Sequence, residues 1–481
     1  MWRISKGALT LMIFISSICA AQNCDCITSL NQLQEKVESN YAGFADKTSK
    51  SKEAYKKLLI RLRKKAASVQ NGKLCQLILE DYIRYFQDGH LMIGNIYKEA
   101  NAEPISRELP SGSIETYFQS LNLPANDIRG IWKNESYQLA IVSDEKIKDR
   151  YYGLVLSSEN AAWKKGMEKM VLRKKSASYY EVEYLFGDFE KIETKAFHSR
   201  NILEIFRAGY FEKVYPMQKN SISIKDYDPI FPDQDIKFSF PNDSTAVLFL
   251  GNFSNQYETV IDSLIRTHKE DLEKRAYWIV DVSYNGGGGT GTYRSLLPYL
   301  YTNPIKRSGS YYRLSVDNIS QMKKFLLGNK NLPPKVAEFF RQLIEAGEKK
   351  PGSWFFEEGQ RFEFSEIKKN PQKIAVLTSD ETASSGEIFV MDALQSKKVT
   401  VFGTTTSGVV DYGDGFIFQI GCDSIPVSIP TRKSEYLNYQ KKYDNIGINP
   451  QVAIPFGEPR PHEFIRKYYQ RQGMRKLHEA K

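Results

Sequence analysis

Residues 373–414 read KIAVLTSDETASSGEIFVMDALQSKKVTVFGTTTSGVVDYGD, and the fold turns on how this stretch is read. Ile374 to Leu377 is an apolar run of strand length, followed by a polar turn from Thr378 to Thr382. Ile388, Phe389, Met391 and Leu394 then recur at roughly helical spacing, and Val399 to Phe402 forms a second short strand ending in Gly403. Strand, turn and helix place Ser384 at or near a helix N-terminus. Free backbone N–H groups and the positive end of the helix dipole there favour developing negative charge. A serine attacking a carbonyl needs such donors, because its intermediate is an oxyanion. The plainer alternative is that Ser384 or Ser385 simply caps the helix.

Working outward, alternating strands and helices surround this unit. Val247–Leu250 reads as a strand, Val260–Leu272 as a helix with Ile261, Leu264 and Ile265 inward, and Trp278–Val282 as a strand. The last runs into a glycine-rich turn, Asp281-Val282-Ser283-Tyr284-Asn285-Gly286-Gly287-Gly288-Gly289. That turn lacks the Gly-Lys-Ser/Thr ending of a phosphate loop and a Rossmann spacing. A structural turn is one reading. The other is that Gly287 or Gly288 lets the backbone approach a substrate carbonyl and donate an N–H to its oxyanion. Such alternation predicts strands covered by helices.

Upstream, residues 27 to 88 read as helical, with Leu58, Leu59 and Leu62 on one face and a break at Asn71-Gly72. Leu74, Leu77, Ile78, Tyr82, Tyr85 and Phe86 mark a second amphipathic helix that ends in Asp88-Gly89-His90. His90 is one of five histidines; His198 and His268 lie in charged, surface-like sequence, and His462 and His478 in the basic tail. An imidazole can take a serine proton near neutral pH, although a histidine after a helix also serves as a dipole partner. Between 110 and 225 the helical period fades. Tyr137–Val142, Tyr151–Leu156, Met170–Leu172 and Tyr179–Tyr184 read as strands of a small sandwich or barrel, with Trp132 and Trp163 as packing residues. In 305–370, Pro333-Pro334 starts a helix and Ser353–Phe364 is extended, a lid or rim or a solvated excursion.

TASSGE followed by a helix and a strand ending in Gly resembles the nucleophile motif of the C-terminal processing (tail-specific) serine peptidases. The resemblance makes Ser384 the nucleophile and the Ser385 N–H an oxyanion donor. One branch of that family carries a later Gly-Lys-Gly base, where this chain has Ser407-Gly408-Val409-Val410. Asp88-Gly89-His90 instead looks like the Asp-x-His segment of the tricorn-like branch, which implies His90 as general base. DVSYNGGG resembles the family's oxyanion segment, with Ser283 at its usual arginine and Gly287 as donor. Asp444-Asn445-Ile446-Gly447-Ile448-Asn449-Pro450-Gln451 looks like the closing segment, with Asp444 in the acid position that orients the histidine and Gln451 replacing a final Asp. Glu435 and Asp411 are reserves. The resemblance covers roughly 74–95 and 240–455 and implies a Clp protease/crotonase-like α/β core, a peptide or protein substrate and acyl-enzyme chemistry with no metal or cofactor. Family members often carry a PDZ domain, but its Gly-Leu-Gly-Phe-like loop is not found here. The alternative class is an inactive peptide- or ligand-binding module on the same fold. A Ser384 hydroxyl far from His90 would favour it.

The expected organisation is multidomain α/β. It comprises a signal peptide over 1–21, an N-terminal helical region over 22–110, a β-rich domain over 111–227, the peptidase core over 228–460 and a basic tail over 461–481. Arg3 and Lys6, the apolar run Ala8–Ile18 and the small residues Cys19-Ala20-Ala21 predict export to a periplasmic or extracellular space, with no membrane span. Export permits disulfides, and Cys24 or Cys26 with Cys75 is the preferred bridge. Cys24-Asp25-Cys26 has no zinc-finger partner set. The net charge of +10 comes from basic residues scattered among acidic ones. That distribution implies a solvated surface rather than a nucleic-acid interface. Oligomeric state and cleavage preference are not legible.

Overall fold

The computed structural model describes residues 25–94, 96, 104–124, 126–217, 221–227, 231, 234–330, 332–421, 423–454, 458 and 460–479. The signal-peptide reading over 1–21, Cys24 and Cys422 lie outside the described residues.

The C-terminal half is built on a six-stranded sheet. Ile236–Asn242 pairs antiparallel with Thr245–Leu250. Thr245–Leu250, Tyr277–Asp281, Lys373–Thr378, Val399–Gly403 and Val452–Ala453 then run parallel in that order. The parallel strands are near-continuous apolar runs because both faces are covered. Ala246, Leu248, Trp278, Val280, Ile374 and Val376 pack to one side with Ile261 and Phe389, while Val247, Ile279, Ala375 and Phe402 pack to the other. The second face is closed by a helix, Pro461–Glu479, through Ile465 and Tyr469. Composition alone reads this segment as a basic tail. The apolar spacing of Ile465 and Tyr469 instead docks it on the sheet.

Of the N-terminal helices Cys26–Asn40, Lys52–Ala66 and Gly72–Arg84, the first and third are capped by Asp25 and Asn71, whose side chains accept from Ile27 N–H and Leu74 N–H. They pack on the strands Tyr412–Ile420 and Ile425–Ser434 through Leu33, Leu62, Leu79, Phe418 and Val427. Leu74 and Leu77, read as part of the inward face, are exposed, while Cys75, Ile78, Leu79 and Tyr82 are buried. The Cys26–Cys75 disulfide supplies the reason, since it turns the Cys75 face inward and its flanking leucines out. The insertion contributes strands Ser310–Leu314 and Ser353–Glu357 to the same sheet as Ile425–Ser434, and helices Val316–Gly328 and Pro334–Lys349 cover it.

Between these parts, eight antiparallel strands from Gly130–Lys133 to Gly209–Tyr215 close into a barrel, the first pairing with the last at Ile131↔Tyr215. Closure leaves no strand edge exposed. Its interior holds Trp132, Leu139, Val155, Leu172, Tyr180 and Phe211, with Trp163 also buried. His198, read as surface-like, is buried here with its ring 5.3 Å from that of Trp132. Burial lowers its pKa to about 4. Strand alternation, not local charge, decides which way it faces.

Candidate active site

Ser384 stands between the strand Lys373–Thr378 and the helix Ser385–Leu394, as that helix's N-cap residue. Its backbone is left-handed, with φ 53° and ψ −120°. A non-glycine residue in such a conformation is strained and persists only where its surroundings hold it. The holding groups are identifiable. Ser384 N–H donates to Val409 O at 3.0 Å and to Glu387 Oε2 at 3.3 Å. Thr382 Oγ donates to Val282 O at 2.8 Å, and Ala383 N–H donates to Asn285 O at 2.9 Å.

Glu387 is the residue that the sequence reading passed over. It is fully buried, and its carboxylate accepts from Thr406 Oγ at 2.6 Å, Gly408 N–H at 2.9 Å and Val409 N–H at 2.7 Å. Burial pushes its pKa up, opposed by those hydrogen bonds. The signal was present: Ser384-Ser385-Gly386-Glu387 has the S-x-x-E spacing of a capping box. Through it the loop 406–409 is fixed to the start of the helix. The same loop reaches the histidine, since a Cβ on Gly89 would lie 2.8 Å from Val409 Cγ1.

His90 Nε2 lies 3.1 Å from Ser384 Oγ, although the residues are 294 positions apart. Asp88 Oδ1 accepts the His90 backbone N–H at 2.8 Å, and its other oxygen accepts from Tyr41 Oη at 2.7 Å. Burial lowers the His90 pKa; the charge of Asp88 raises it, Arg432 lowers it, and Asp444 raises it. The imidazole therefore favours its neutral form, the one able to accept a proton.

The expected acid contact is corrected. Asp444 does not hydrogen-bond to His90: its Oδ1 accepts from Val410 N–H at 3.3 Å and Asp411 N–H at 3.0 Å, and its Oδ2 pairs with Lys47 Nζ at 3.2 Å. Its shorter side chain is consumed in stitching the loop at 410–411 to the N-terminal helices. The reserves are no closer in role. Asp411 accepts from Tyr443 N–H and Tyr436 Oη, and Glu435 from Gly309 N–H. His90 Nδ1 is buried with no hydrogen-bond partner among the described residues.

Gly287 lies against the serine. Its φ is 109°, and a Cβ there would stand 2.8 Å from Ser384 Cβ, so only glycine fits. Its N–H donates to Asn285 Oδ1 at 2.9 Å. Asn285 is itself buried and donates to Leu250 O at 2.7 Å. Ser385 opens the helix, where first-turn N–H groups have no partner within the helix. Ser283, at the usual arginine position, gives both its N–H and its hydroxyl to Asp281 Oδ1, and the other oxygen of Asp281 meets His462 Nε2 at 2.6 Å. Among the described residues no group of three or more His, Cys, Asp or Glu side chains could hold a metal ion, and no helix is long and apolar enough to cross a membrane.

Residues 244–454, which include the sheet, Ser384 and Asp444, match the model of peptidase family S41. Over this segment the chain is similar to that family. The likeness supports a serine-type peptidase with peptides or proteins as its substrate class. Mature CPAF complexed with lactacystin aligns over 92% of this chain and 97% of its own, at 13% identity and a TM-score of 0.49. The photosystem II D1 C-terminal processing protease aligns over 89% and 92%, at 11% identity and a TM-score of 0.37. Tricorn protease aligns over 91% of this chain and 35% of its own, at 11% identity and a TM-score of 0.39. A search of curated proteins gives no match. The S41 segment begins well after His90, so the histidine reaches its serine from outside the matched region.

Proposed function

We propose that this chain is an exported endopeptidase of the tricorn-like branch that works through Ser384 and His90. The observation that carries the reading is the 3.1 Å approach of His90 Nε2 to Ser384 Oγ. In the proposed reaction Ser384 Oγ attacks the scissile carbonyl carbon while His90 Nε2 takes its proton. A C–O bond forms, and the carbonyl oxygen becomes an oxyanion beside the helix N-terminus. The Ser385 N–H holds that charge, and the Gly287 N–H shares its hydrogen between Asn285 Oδ1 and the oxyanion. Collapse breaks the C–N bond, and His90 returns the proton to the leaving amine. Water then cleaves the acyl-enzyme by the same path, with His90 again as base.

Asp444 acts in this proposal through its charge, which favours the imidazolium, and Asp88 positions His90 by its backbone. Export is supported by the basic and apolar residues of 1–21 and by the Cys26–Cys75 disulfide, a bond that persists in oxidising compartments.

The test is labelling with a fluorophosphonate probe, comparing the wild type with Ser384→Ala and His90→Ala. Labelling of the wild type and its loss in both variants is expected. A Ser384→Ala protein that still labels would move the nucleophile elsewhere. A folded wild type that takes no label would remove the proposed activation of Ser384.

A further inference from the structure

The barrel is joined to the peptidase core at the two loops that form the site. Lys195, on the barrel strand Lys191–Ser199, forms an ion pair with Glu381, and its Nζ lies 4.6 Å from the centre of the Tyr284 ring. Phe206, in the barrel turn before Gly209–Tyr215, packs at a tilt against the same ring at 5.0 Å. Glu381 precedes Ser384 by three positions in the turn that strains the serine. Tyr284 precedes Gly287 by three in the glycine loop. The two loops are also tied to each other: Ser379 Oγ donates to Ser283 O, Thr382 Oγ to Val282 O and Ala383 N–H to Asn285 O.

A cleft of about 1110 Å³ opens beside this junction, between barrel and core. Lys195, Phe206, Tyr284, Asp281, Glu381 and His462 are among its walls, while Ser384 and His90 are not. The cleft thus borders the turn before Ser384 without including Ser384 or His90 in its walls. Lys195 is two-thirds of the way to full burial or beyond, at 16% side-chain exposure, and its partner Glu381 is at 38%. A part-buried cation held by both a carboxylate and a ring face is better fixed than an exposed ion pair.

We propose that Lys195 is a positioning residue: by holding Glu381 and the Tyr284 ring together, the barrel sets the Ser384 turn and the Gly287 loop in register. The inference rests on the proposed roles of Ser384 and Gly287, but its structural part can be read without them. Lys195→Met keeps most of the stem and removes the charge. Amide hydrogen exchange in residues 379–385 and 282–288 should then speed about tenfold, the factor that about 1.4 kcal/mol represents, with the global thermal midpoint little changed. Fluorophosphonate labelling should slow by up to about 100-fold, the cost of small misplacements in a catalytic geometry. Lys195→Arg should keep both properties, and the exchanged pair Lys195→Glu with Glu381→Lys should recover what Lys195→Glu alone loses. Glu381→Gln provides a second route to the same loss if Lys195→Met folds poorly.

Exchange in the two loops that stays at the wild-type rate in Lys195→Met and Glu381→Gln overturns the proposal, whether or not the wild type labels. Faster exchange with unchanged labelling of a wild type that labels through Ser384 also overturns it, because the loops would then be loosened without consequence. Absence of labelling in the wild type, by contrast, counts against the roles of Ser384 and His90 and leaves the exchange result to decide the coupling.

Discussion

Glu387→Gln isolates one carboxylate at the base of the site while preserving shape. Each oxygen of Glu387 receives two donors: Oε1 from Thr406 Oγ and Gly408 N–H, Oε2 from Val409 N–H and Ser384 N–H. A glutamine must put its NH₂ on one side. Facing Val409 and Ser384 it would meet two N–H groups that cannot accept. Facing Thr406 and Gly408 it meets one hydroxyl, which can turn and accept, and one N–H, which cannot. The second arrangement is better and still leaves the Gly408 N–H buried and unpaired, at about 1–3 kcal/mol. The remaining bonds lose their charge assistance, which roughly halves their strength, so a total of about 2–4 kcal/mol is expected. Urea denaturation should show that loss as a lower midpoint at unchanged slope. Because the same carboxylate holds the loop that carries Val409 against Gly89, the fluorophosphonate labelling rate should fall as well. A variant within about 0.5 kcal/mol of the wild type, the range of an ordinary surface substitution, would refute the reasoning.

Two further predictions concern the histidine and the disulfide. Burial lowers the His90 pKa below the ordinary 6.5, so the labelling rate should fall on acidification with its midpoint below 6.5. As pH drops, the unfolded chain takes up this proton first. The contribution of His90 to stability is therefore complete above 6.5 and is lost as pH falls through the folded value. The difference between wild type and His90→Asn in denaturation across that window checks it, and an acidic limb centred above 6.5 would contradict it. Cys75→Ala opens a cross-link of 49-residue separation. Chain entropy alone sets its cost at about 4 kcal/mol, readable by denaturation of the variant beside reduced and oxidised wild type.

The segments that meet at the site are marked in the sequence by local chemistry. A strand, a polar turn and an amphipathic helix bracket Ser384, and Asp88-Gly89-His90 lies in the turn after the helix Gly72–Arg84 that the apolar period also reveals. Their junction at 3.1 Å is a long-range fact that only the family resemblance anticipates. What Asp444 touches was not legible, because its partner Lys47 lies 397 residues earlier and neither residue carries a periodic signal. The eight-stranded closure of the barrel was equally hidden. Alternating apolar residues give strands but do not distinguish a sandwich from a barrel, and the pairing of 131 with 215 decides it. Leu74 and Leu77 misled for a local reason: a helix with apolar residues on more than one side does not declare which side is buried, and the bond from Cys26 to Cys75 settles the matter.

The division of labour around His90 follows from what each carboxylate can reach. A carboxylate bonded to the imidazole both orients the ring and stabilises its cation. Here those duties fall on different residues. Asp88 holds the backbone of His90 and is itself anchored by Tyr41, so it fixes where the ring begins without touching the ring nitrogens. Asp444 is immobilised by Lys47 and two backbone N–H groups, so it acts on the imidazole only as a nearby charge. Burial and Arg432 oppose both charges and keep the resting ring neutral. In the proposed reaction a proton passing from Ser384 to His90 would change the balance, because the two carboxylates are already in place and need no reorganisation to favour the cation. Under the proposed mechanism the acidic residues would therefore favour the transition state more than the resting imidazole.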